Sequence, residues 1–267
     1  MTFALPGTSG AYAVAAPSRD PFIHQEMVEV LYHTLWETVH VFFEHRQLGH
    51  RVGPAGFLYP FLGEEHQDLD PVISEVAASI VMKAQDDERL REEIARDQAD
   101  AIADTVAAID TRLRAGGKLI LFGNGGSATD ANDWALDCVM PPEGYSAVPA
   151  ISLALEPANL SAIANDVGRE VMFLRQLIAQ ARPEDVAVGI STSGGSPNVV
   201  VALEEARRRG LLTIGLLGCG GGEIRRRGLT DCTLTVHSDY IPRIQEAQAS
   251  MYHVVREGLE AIRRGNA

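Results

Sequence analysis

The chain has 267 residues, of which 46% are hydrophobic and 22% are charged, a composition ordinary for a soluble globular protein. Its formal net charge of −13 argues against a nucleic-acid-binding protein, because that class presents a basic surface. No run of about 20 apolar residues occurs, so no membrane-spanning helix is expected, and three widely spaced cysteines favour a reducing cytoplasm over a disulfide framework.

The N-terminal third is predicted to be a short leader followed by a helical extension. Residues 1–20 begin with small and apolar side chains but lack the preceding positive charge of a signal peptide, so they are predicted to be a disordered leader. Apolar residues recur at helical spacing over residues 21–50 and 71–83, which predicts a helical extension over residues 21–84. The aromatic segment 56–63 between them is interpreted as a packing plug or a substrate lid.

Four histidine and glutamate side chains share one face of the first predicted helix. Their spacing of i, i+4, i+7 and i+11 is compatible with metal binding. The favoured interpretation is a helix that packs its apolar side chains while its polar face meets solvent or the rim of an active site. The four residues are His33, Glu37, His40 and Glu44.

The rest of the chain has the pattern of a parallel α/β domain. After a predicted helix at 86–115, short apolar runs alternate with helical segments, which predicts a five-stranded parallel sheet with helices on both faces. Ligands of such sheets bind at the carboxyl ends of the strands. The predicted strands are 118–123, 147–153, 185–191, 211–218 and 232–236, and the helices are 127–140, 157–164, 169–182, 197–209 and 242–264.

A glycine-rich turn, GNGGS, occupies Gly123–Ser127 between a predicted strand and a predicted helix. Glycines let the backbone approach a ligand closely, and the free N–H groups at a helix start favour anions. The same residues also suit a tight strand-to-helix turn without a ligand, so both interpretations stay open.

A hydroxyl-rich segment, STSGGS, occupies Ser191–Ser196 and also follows a predicted strand. Hydroxyls combined with the N–H groups of the following helix form a neutral phosphate cradle. The segment lacks the lysine of a nucleotide-binding P-loop. A helix cap is the alternative, but four hydroxyls exceed what a cap needs, so phosphate binding is favoured.

Two helices carry further candidate side chains. Asp130, Asp133 and Asp137 share one helical face, where three carboxylates repel one another unless a cation, ligand or solvent compensates. Trp134 indicates that this helix is partly buried, which weakens the alternative of a solvated acidic face. On the final predicted helix His253 lies eight positions after Gln245, on roughly the same side, although a lone helical histidine is more often a core residue.

The motifs together resemble those of the sedoheptulose 7-phosphate isomerases, also called phosphoheptose isomerases, from the third predicted helix onward. The segments GNGGSATDA, ANDVG, GISTSGGSPNV and RIQEAQASMYHVV occur in the family's order. The resemblance implies a SIS-type three-layer fold over residues 85–267. It also implies a homotetramer with sites between subunits and the conversion of sedoheptulose 7-phosphate to glycero-manno-heptose 7-phosphate.

The resemblance assigns roles position by position. His253 corresponds to the catalytic and metal-binding histidine, and Gln245 to a residue that contacts both metal and substrate. The implied substrate-binding residues are Asn124, Gly125, Gly126 and Ser127 in the first motif, Asn165 and Asp166 in the second, Ser191, Thr192, Ser193 and Ser196 around the phosphate, and Gln245.

The chain departs from the family at the helix after the first motif. The family's His-x-x-x-Glu is replaced by Asp133 and Asp137, and its arginine shortly afterwards is absent. The implied ligands of a divalent metal are therefore Asp133, Asp137, Gln245 and His253. The resemblance implies zinc first, but this oxygen-rich set also suits manganese, iron or magnesium.

The mechanistic hypothesis is an aldose–ketose isomerisation through an enediol. Asp137 would remove the proton next to the carbonyl and His253 would act as the partner acid, or the two roles are exchanged. A bound metal would polarise the carbonyl oxygen. The alternatives are a non-catalytic SIS-domain regulator or adaptor, favoured by the altered Asp133 and Asp137, and an isomerase of another sugar phosphate such as a hexose or modified heptose. The retained Gln245 and His253 favour catalysis.

Overall fold

The computed structural model describes residues 3–4, 7, 10–47 and 69–265, with backbone alone for 3–4, 40–47, 69–72 and 75. The chain folds as two compact units, Met1–Glu88 and Arg89–Ala267. Within the described ranges, none of the helices has the length and apolar character needed to cross a membrane.

The first unit contains two long helical segments. Helix α1 spans Pro21–Gln47, and α2, which spans Leu69–Asp97, begins in this unit. The Asp20 carboxylate accepts a hydrogen bond from the Phe22 N–H at 2.9 Å, which satisfies one free donor at the start of α1. In the segment predicted to be a disordered leader, strand β1, Phe3–Ala4, pairs in parallel with β2, Tyr12–Ala13.

The candidate metal face on α1 is only partly described. The Glu37 carboxylate is buried and forms an ion pair with Lys83 on α2, which supports a structural role for this glutamate. The side chains of His40 and Glu44 lie outside the described residues, as does the aromatic segment 56–63. Metal binding on this face therefore stays a prediction.

The predicted helix break between residues 83 and 86 is wrong. Helix α2 continues to Asp97, and α3 follows over Ala99–Arg114. The break falls at Gln98, whose side-chain amide donates to the Thr235 carbonyl at 2.6 Å and accepts from the Thr235 N–H at 2.9 Å. Because these hydrogen bonds join residues distant in sequence, no local pattern reveals the break.

A five-stranded parallel sheet forms the centre of the second unit, as the sequence pattern predicts. Its order is β4-β3-β5-β6-β7, and every neighbouring pair is parallel. Strands β3, β5 and β6 are buried throughout, which explains their nearly continuous apolar sequences. The strands are β3 (Leu119–Phe122), β4 (Ala150–Ser152), β5 (Val186–Ser191), β6 (Leu212–Leu217) and β7 (Cys232–Thr235).

Helices cover both faces of the sheet and give a three-layer fold. On one face α3, α4 and α9 share a core that includes Ile109, Trp134 and Tyr252. On the other face α6 and α7 share a core that includes Phe173 and Leu203. The remaining helices are α4 (Gly126–Val139), α5 (Pro157–Asp166), α6 (Met172–Gln180), α7 (Pro197–Arg208), α8 (Gly222–Arg226) and α9 (Ile241–Gly265), with 3-10 turns at Arg169–Val171 and Cys219–Gly221.

The strand order creates a crevice between β3 and β5. The chain leaves β3 for the edge strand β4, returns to β5 on the other side of β3, and then continues outward to β6 and β7. The connections after β3 and β5 therefore diverge, and such a switch point is where open α/β sheets bind ligands. Both motifs predicted to bind substrate follow these two strands.

Candidate active site

The first loop, Gly123–Ser127, joins β3 to α4. One of its glycines has no space for a side chain, and another has a backbone conformation that residues with a side chain rarely adopt. A Cβ on Gly123 would lie 2.5 Å from the Ser127 carbonyl oxygen, and Gly125 has a φ of +57°. The Ser127 N–H donates to the Asn124 carbonyl at 3.0 Å and closes the turn. Asn124, Gly125 and Gly126 are exposed while Ser127 is buried, so the loop presents mainly its backbone and the Asn124 amide.

The second loop, Ser191–Ser196, does not use the hydroxyl of its last residue to cap the following helix. Ser196 is the N-cap residue of α7, but its side chain makes no capping hydrogen bond. Its Oγ instead lies 3.2 Å from the Oγ of Ser191. A helix cap therefore does not account for the Ser196 hydroxyl, which favours the phosphate-binding interpretation.

A third loop, Gly218–Gly222, supports the backbone of the second. A Cβ on Gly194 would lie 2.2 Å from the Gly221 carbonyl oxygen, and one on Gly222 would lie 2.3 Å from the Ser193 carbonyl oxygen. The Ile224 N–H also donates to the Gly194 carbonyl at 2.9 Å. None of the predicted site residues lies in this loop, although a glycine run directly after a predicted strand was the available signal.

Asp137 and His253 meet between two packed helices. The His253 Nε2 lies 3.5 Å from the Asp137 Oδ2, and both residues are buried. Trp134 stacks on Tyr252 with ring centroids 5.5 Å apart, and Tyr252 meets the His253 ring edge-on at 4.6 Å. This aromatic packing fixes α4 against α9 and holds the carboxylate and the imidazole together.

An arginine from α9 lies at the end of α4, where the family's arginine is missing from the sequence. Arg256 is fully buried, and its Nε donates to the Asp137 carbonyl oxygen at 3.3 Å. Its guanidinium lies 5.0 Å from the centre of the Tyr145 ring and 3.6 Å from the Glu260 carboxylate. These contacts anchor the turn of α4 that carries Asp137.

Burial raises the pKa of the neighbouring Cys138 thiol to about 12, so that thiol stays protonated.

Gln245 lies against the first loop rather than against His253. A Cβ on Gly126 would lie 1.6 Å from the Gln245 Nε2, so the amide packs directly on that glycine. Residues eight positions apart on a helix are separated by about 12 Å along its axis. Gln245 and His253 therefore meet opposite ends of α4.

The Gln245 contact predicts the effect of Gly126→Ala. The new methyl group would displace a flexible amide rather than backbone, so we expect near-normal stability but a loss of kcat/KM of roughly 10- to 100-fold, as displaced site residues often cause. Steady-state kinetics and thermal unfolding would measure the two effects. In a Gln245→Ala background the same substitution should have little further effect on kcat/KM. If the two losses multiplied in full, Gly126→Ala would not be acting through the Gln245 amide.

The predicted metal ligands do not converge within one chain. In the described ranges, no group of three histidine, cysteine, aspartate or glutamate side chains is placed to hold a metal ion. His253 Nε2 faces the Asp137 carboxylate, and Gln245 lies two helical turns away beside Gly126. A single chain therefore does not fit the predicted metal.

Asp133 is placed where its charge is unfavourable. It lies one turn before Asp137 on α4, and although much of the residue is exposed, desolvation of its carboxylate raises its pKa. The Asp137 charge raises the pKa further, and His253 opposes both effects. The ionised form of Asp133 therefore destabilises the folded state.

The raised pKa of Asp133 predicts a pH-dependent gain for Asp133→Asn. The folded state holds this proton to higher pH than the unfolded state does, so stability falls as pH rises through that window and the penalty is complete above it. Like charges at i, i+4 cost about 0.2–0.5 kcal/mol. We expect a gain of that size at pH 7 in EDTA and none at about pH 3, below the usual aspartate pKa. Urea unfolding would measure the free energy of unfolding at both pH values. A variant less stable than wild type at pH 7 would show that the Asp133 charge stabilises the fold, which contradicts the prediction.

The second predicted substrate contact is less constrained. Asn165 and Asp166 are the last two residues of α5, which extends past the predicted end at residue 164. Both are exposed, and the Asn165 amide donates to the Asp166 carboxylate at 2.8 Å. Their contribution to substrate binding stays a prediction.

The comparisons with known proteins agree with this fold. Residues 84–218 match the SIS domain family. A phosphoheptose isomerase from Pelobacter propionicus is 45% identical over 172 residues, which are 64% of this chain and 90% of that protein. Solved phosphoheptose isomerases are also similar. The structure of GmhA from Neisseria gonorrhoeae is 30% identical with a TM-score of 0.64, and the match covers 71% of this chain and 99% of that one. The structure of the protein from Francisella tularensis is 29% identical with a TM-score of 0.63, and the match covers 73% of this chain and 100% of that one.

Proposed function

The chain belongs to the phosphoheptose isomerases of the SIS-domain family and is a sugar-phosphate isomerase, and on that premise we propose that it converts sedoheptulose 7-phosphate to glycero-manno-heptose 7-phosphate. The observation that carries this proposal is the buried Asp137–His253 pair, with 3.5 Å between carboxylate and imidazole. Such a pair supplies a base and an acid for moving protons between adjacent carbons. The two loops that follow β3 and β5 supply the means to hold the rest of the substrate.

The proposed reaction moves protons through an enediol. Asp137 takes a proton from C1 of the ketose while the carbonyl oxygen on C2 receives one from His253, which gives the enediol. Asp137 then returns a proton to C2, and His253 recovers one from the C1 hydroxyl, which leaves the aldose. Because the two side chains adjoin each other, the assignments of base and acid are interchangeable.

The second loop is proposed to bind the phosphate. The hydroxyls of Ser191, Thr192, Ser193 and Ser196 lie in the loop that leads into α7, and the positive end of that helix favours an anion. In the first loop the exposed Asn124 amide and glycine backbone are proposed to bind sugar hydroxyls. Because these groups are neutral, phosphate recognition would depend on hydrogen bonds and the helix terminus rather than on a lysine.

We propose a homotetramer because the family resemblance implies one, and the separation of these parts supports sites that lie between subunits. Asp137 lies eleven residues after Gly126 on α4, about 16 Å along the helix axis. A heptose phosphate extends about 10 Å from phosphorus to C1 at standard bond lengths. A substrate bound at the loops of one chain would therefore react more readily with the Asp137–His253 pair of a second copy.

A divalent metal, with zinc the first candidate, is proposed only for that assembly, because the four implied ligands do not meet in one chain. Metal analysis of the purified oligomer would test this proposal.

A cytoplasmic location is also proposed, since Cys138, Cys219 and Cys232 are all free thiols.

The test of the proposed function is an assay with pure protein and sedoheptulose 7-phosphate, with and without added divalent metals. We expect a heptose 7-phosphate as product, and slower or no reaction with hexose and pentose phosphates. Asp137→Asn protein purified in parallel controls for contaminating isomerases. Binding of the sugar phosphate without turnover under any of these conditions would instead support the regulator or adaptor.

A further inference from the structure

Two asparagine side chains join the first and second loops across the crevice. The Asn124 Nδ2 donates to the Asn198 Oδ1 at 2.8 Å, and the Asn198 Nδ2 donates back to the Asn124 Oδ1 at 2.8 Å. These residues are 74 positions apart in sequence and follow the two strands that border the crevice. Asn198 has no role among the predicted substrate-binding residues.

Asn198 is the fixed member of this pair. It is 7% exposed, whereas Asn124 is exposed, and it lies in the first turn of α7 directly after Pro197. Its Oδ1 also accepts a hydrogen bond from the Val199 N–H at 3.0 Å. A buried amide with three hydrogen bonds is held by its surroundings, so it determines the position of its exposed partner.

The Val199 contact also determines which way both amides face. A reciprocal amide pair is equally satisfied if both side chains rotate by half a turn, so the pair alone leaves the orientation open. The Val199 N–H also donates to the Ser196 carbonyl at 3.0 Å, and a flipped Asn198 amide would turn its NH₂ group, a second donor, toward that N–H. The Asn198 amide is therefore held with its oxygen toward Val199, and the Asn124 amide follows it. One N–H donor and one oxygen lone pair of Asn124 remain for a ligand.

We propose that Asn198 is a positioning residue that orients Asn124 and keeps the first loop in register with the second. The proposal rests on the function proposed above. A fixed donor and acceptor on one amide suit a sugar hydroxyl pair, since each hydroxyl both donates and accepts. Asn198 therefore sets the distance between the sugar hydroxyls and the phosphate, although it does not touch the substrate.

A double-mutant cycle tests this assignment. Asn198→Ala, Asn124→Ala and the double variant are compared with wild type by kcat, KM and thermal unfolding of the full chain. We expect each single variant to lose roughly 10- to 100-fold in kcat/KM, as misplaced binding groups do, and the double variant to lose no more than the worse single one. Independent roles would instead make the losses multiply, and that result would overturn the proposal.

Two further variants separate positioning from general damage. Asn198→Asp keeps both acceptor contacts but cannot donate to Asn124, so we expect it to lose activity, and its buried, uncompensated carboxylate should also lower its melting temperature. Asn132→Ala is the control, because it removes an amide on α4 that accepts a hydrogen bond from the Ser152 hydroxyl at 2.7 Å. This variant should retain kcat/KM within about threefold, since ordinary substitutions away from a site have small effects. Wild-type activity in Asn198→Asp would overturn the orienting role.

The cycle also distinguishes failure of this inference from failure of the proposed function. Non-additive melting temperatures would show the coupling between Asn124 and Asn198 even if sedoheptulose 7-phosphate were not turned over. Normal turnover combined with additive losses in both kinetics and melting temperature would reject the inference alone.

Discussion

Replacing Asp137 by asparagine is expected to lower kcat by about 10²–10⁴-fold, the usual contribution of a positioned general acid or base. Asparagine has nearly the same shape as aspartate, and the Arg256 hydrogen bond is made to the backbone carbonyl of this residue. The fold and the position of the side chain should therefore persist while the base is lost. Steady-state kinetics with sedoheptulose 7-phosphate, alongside thermal unfolding, would measure both properties.

Two companion variants sharpen this prediction. Asp137→Glu restores the residue that the resemblance places here, retains a carboxylate, and is expected to remain far more active than Asp137→Asn. Because the two groups act as one unit, adding His253→Gln to Asp137→Asn should cost little more than either change alone. If Asp137→Asn kept activity within tenfold of wild type, the Asp137–His253 pair could not be the centre of the chemistry.

The second large effect is expected for Gly194→Ala in the second loop. Gly194 has a φ of +61°, which costs a residue with a side chain roughly 1–2 kcal/mol. Its new Cβ would also lie 2.2 Å from the carbonyl oxygen of Gly221, and that backbone has no flexible end to move aside. The loop must shift away from the third loop, so we expect lower stability and a KM raised at least about tenfold, equivalent to 1.4 kcal/mol of lost binding.

Gly195→Ala is the matched control for stability. The nearest atoms to its new Cβ are 3.9 Å away, both in Ser193, which is ordinary packing distance. Its melting temperature should stay close to that of wild type, whereas Gly194→Ala should melt lower. Equal melting temperatures for the two variants would show that the third loop does not support the second.

The sheet and its loops were predictable because burial of a strand produces an apolar run in the local sequence. Strands covered on both faces are continuous apolar runs, and the glycine and hydroxyl motifs follow two of them directly. The predicted strand at residues 147–153 was too long, since only Ala150–Ser152 pairs, and it pairs with β3 alone at the sheet edge. Edge strands have fewer constraints than central ones, so their ends are harder to derive from sequence.

The parts that sequence did not predict depend on contacts between distant residues. Arg256 reaches the end of α4 only because α9 packs against it, and Asn198 orients Asn124 across 74 positions. The proposed metal site likewise depends on contacts that one chain does not supply. Gln245 and His253 share a helical side, but two turns of helix place them at opposite ends of α4.

The enediol is tested most directly by running the reaction with sedoheptulose 7-phosphate in D₂O and locating deuterium in the product. A proton held by Asp137 or His253 between removal and return passes to solvent over repeated turnovers, so we expect deuterium to accumulate on C2 of the heptose 7-phosphate as the reaction approaches equilibrium. A heptose formed without deuterium at that carbon, or no heptose at all, would contradict it.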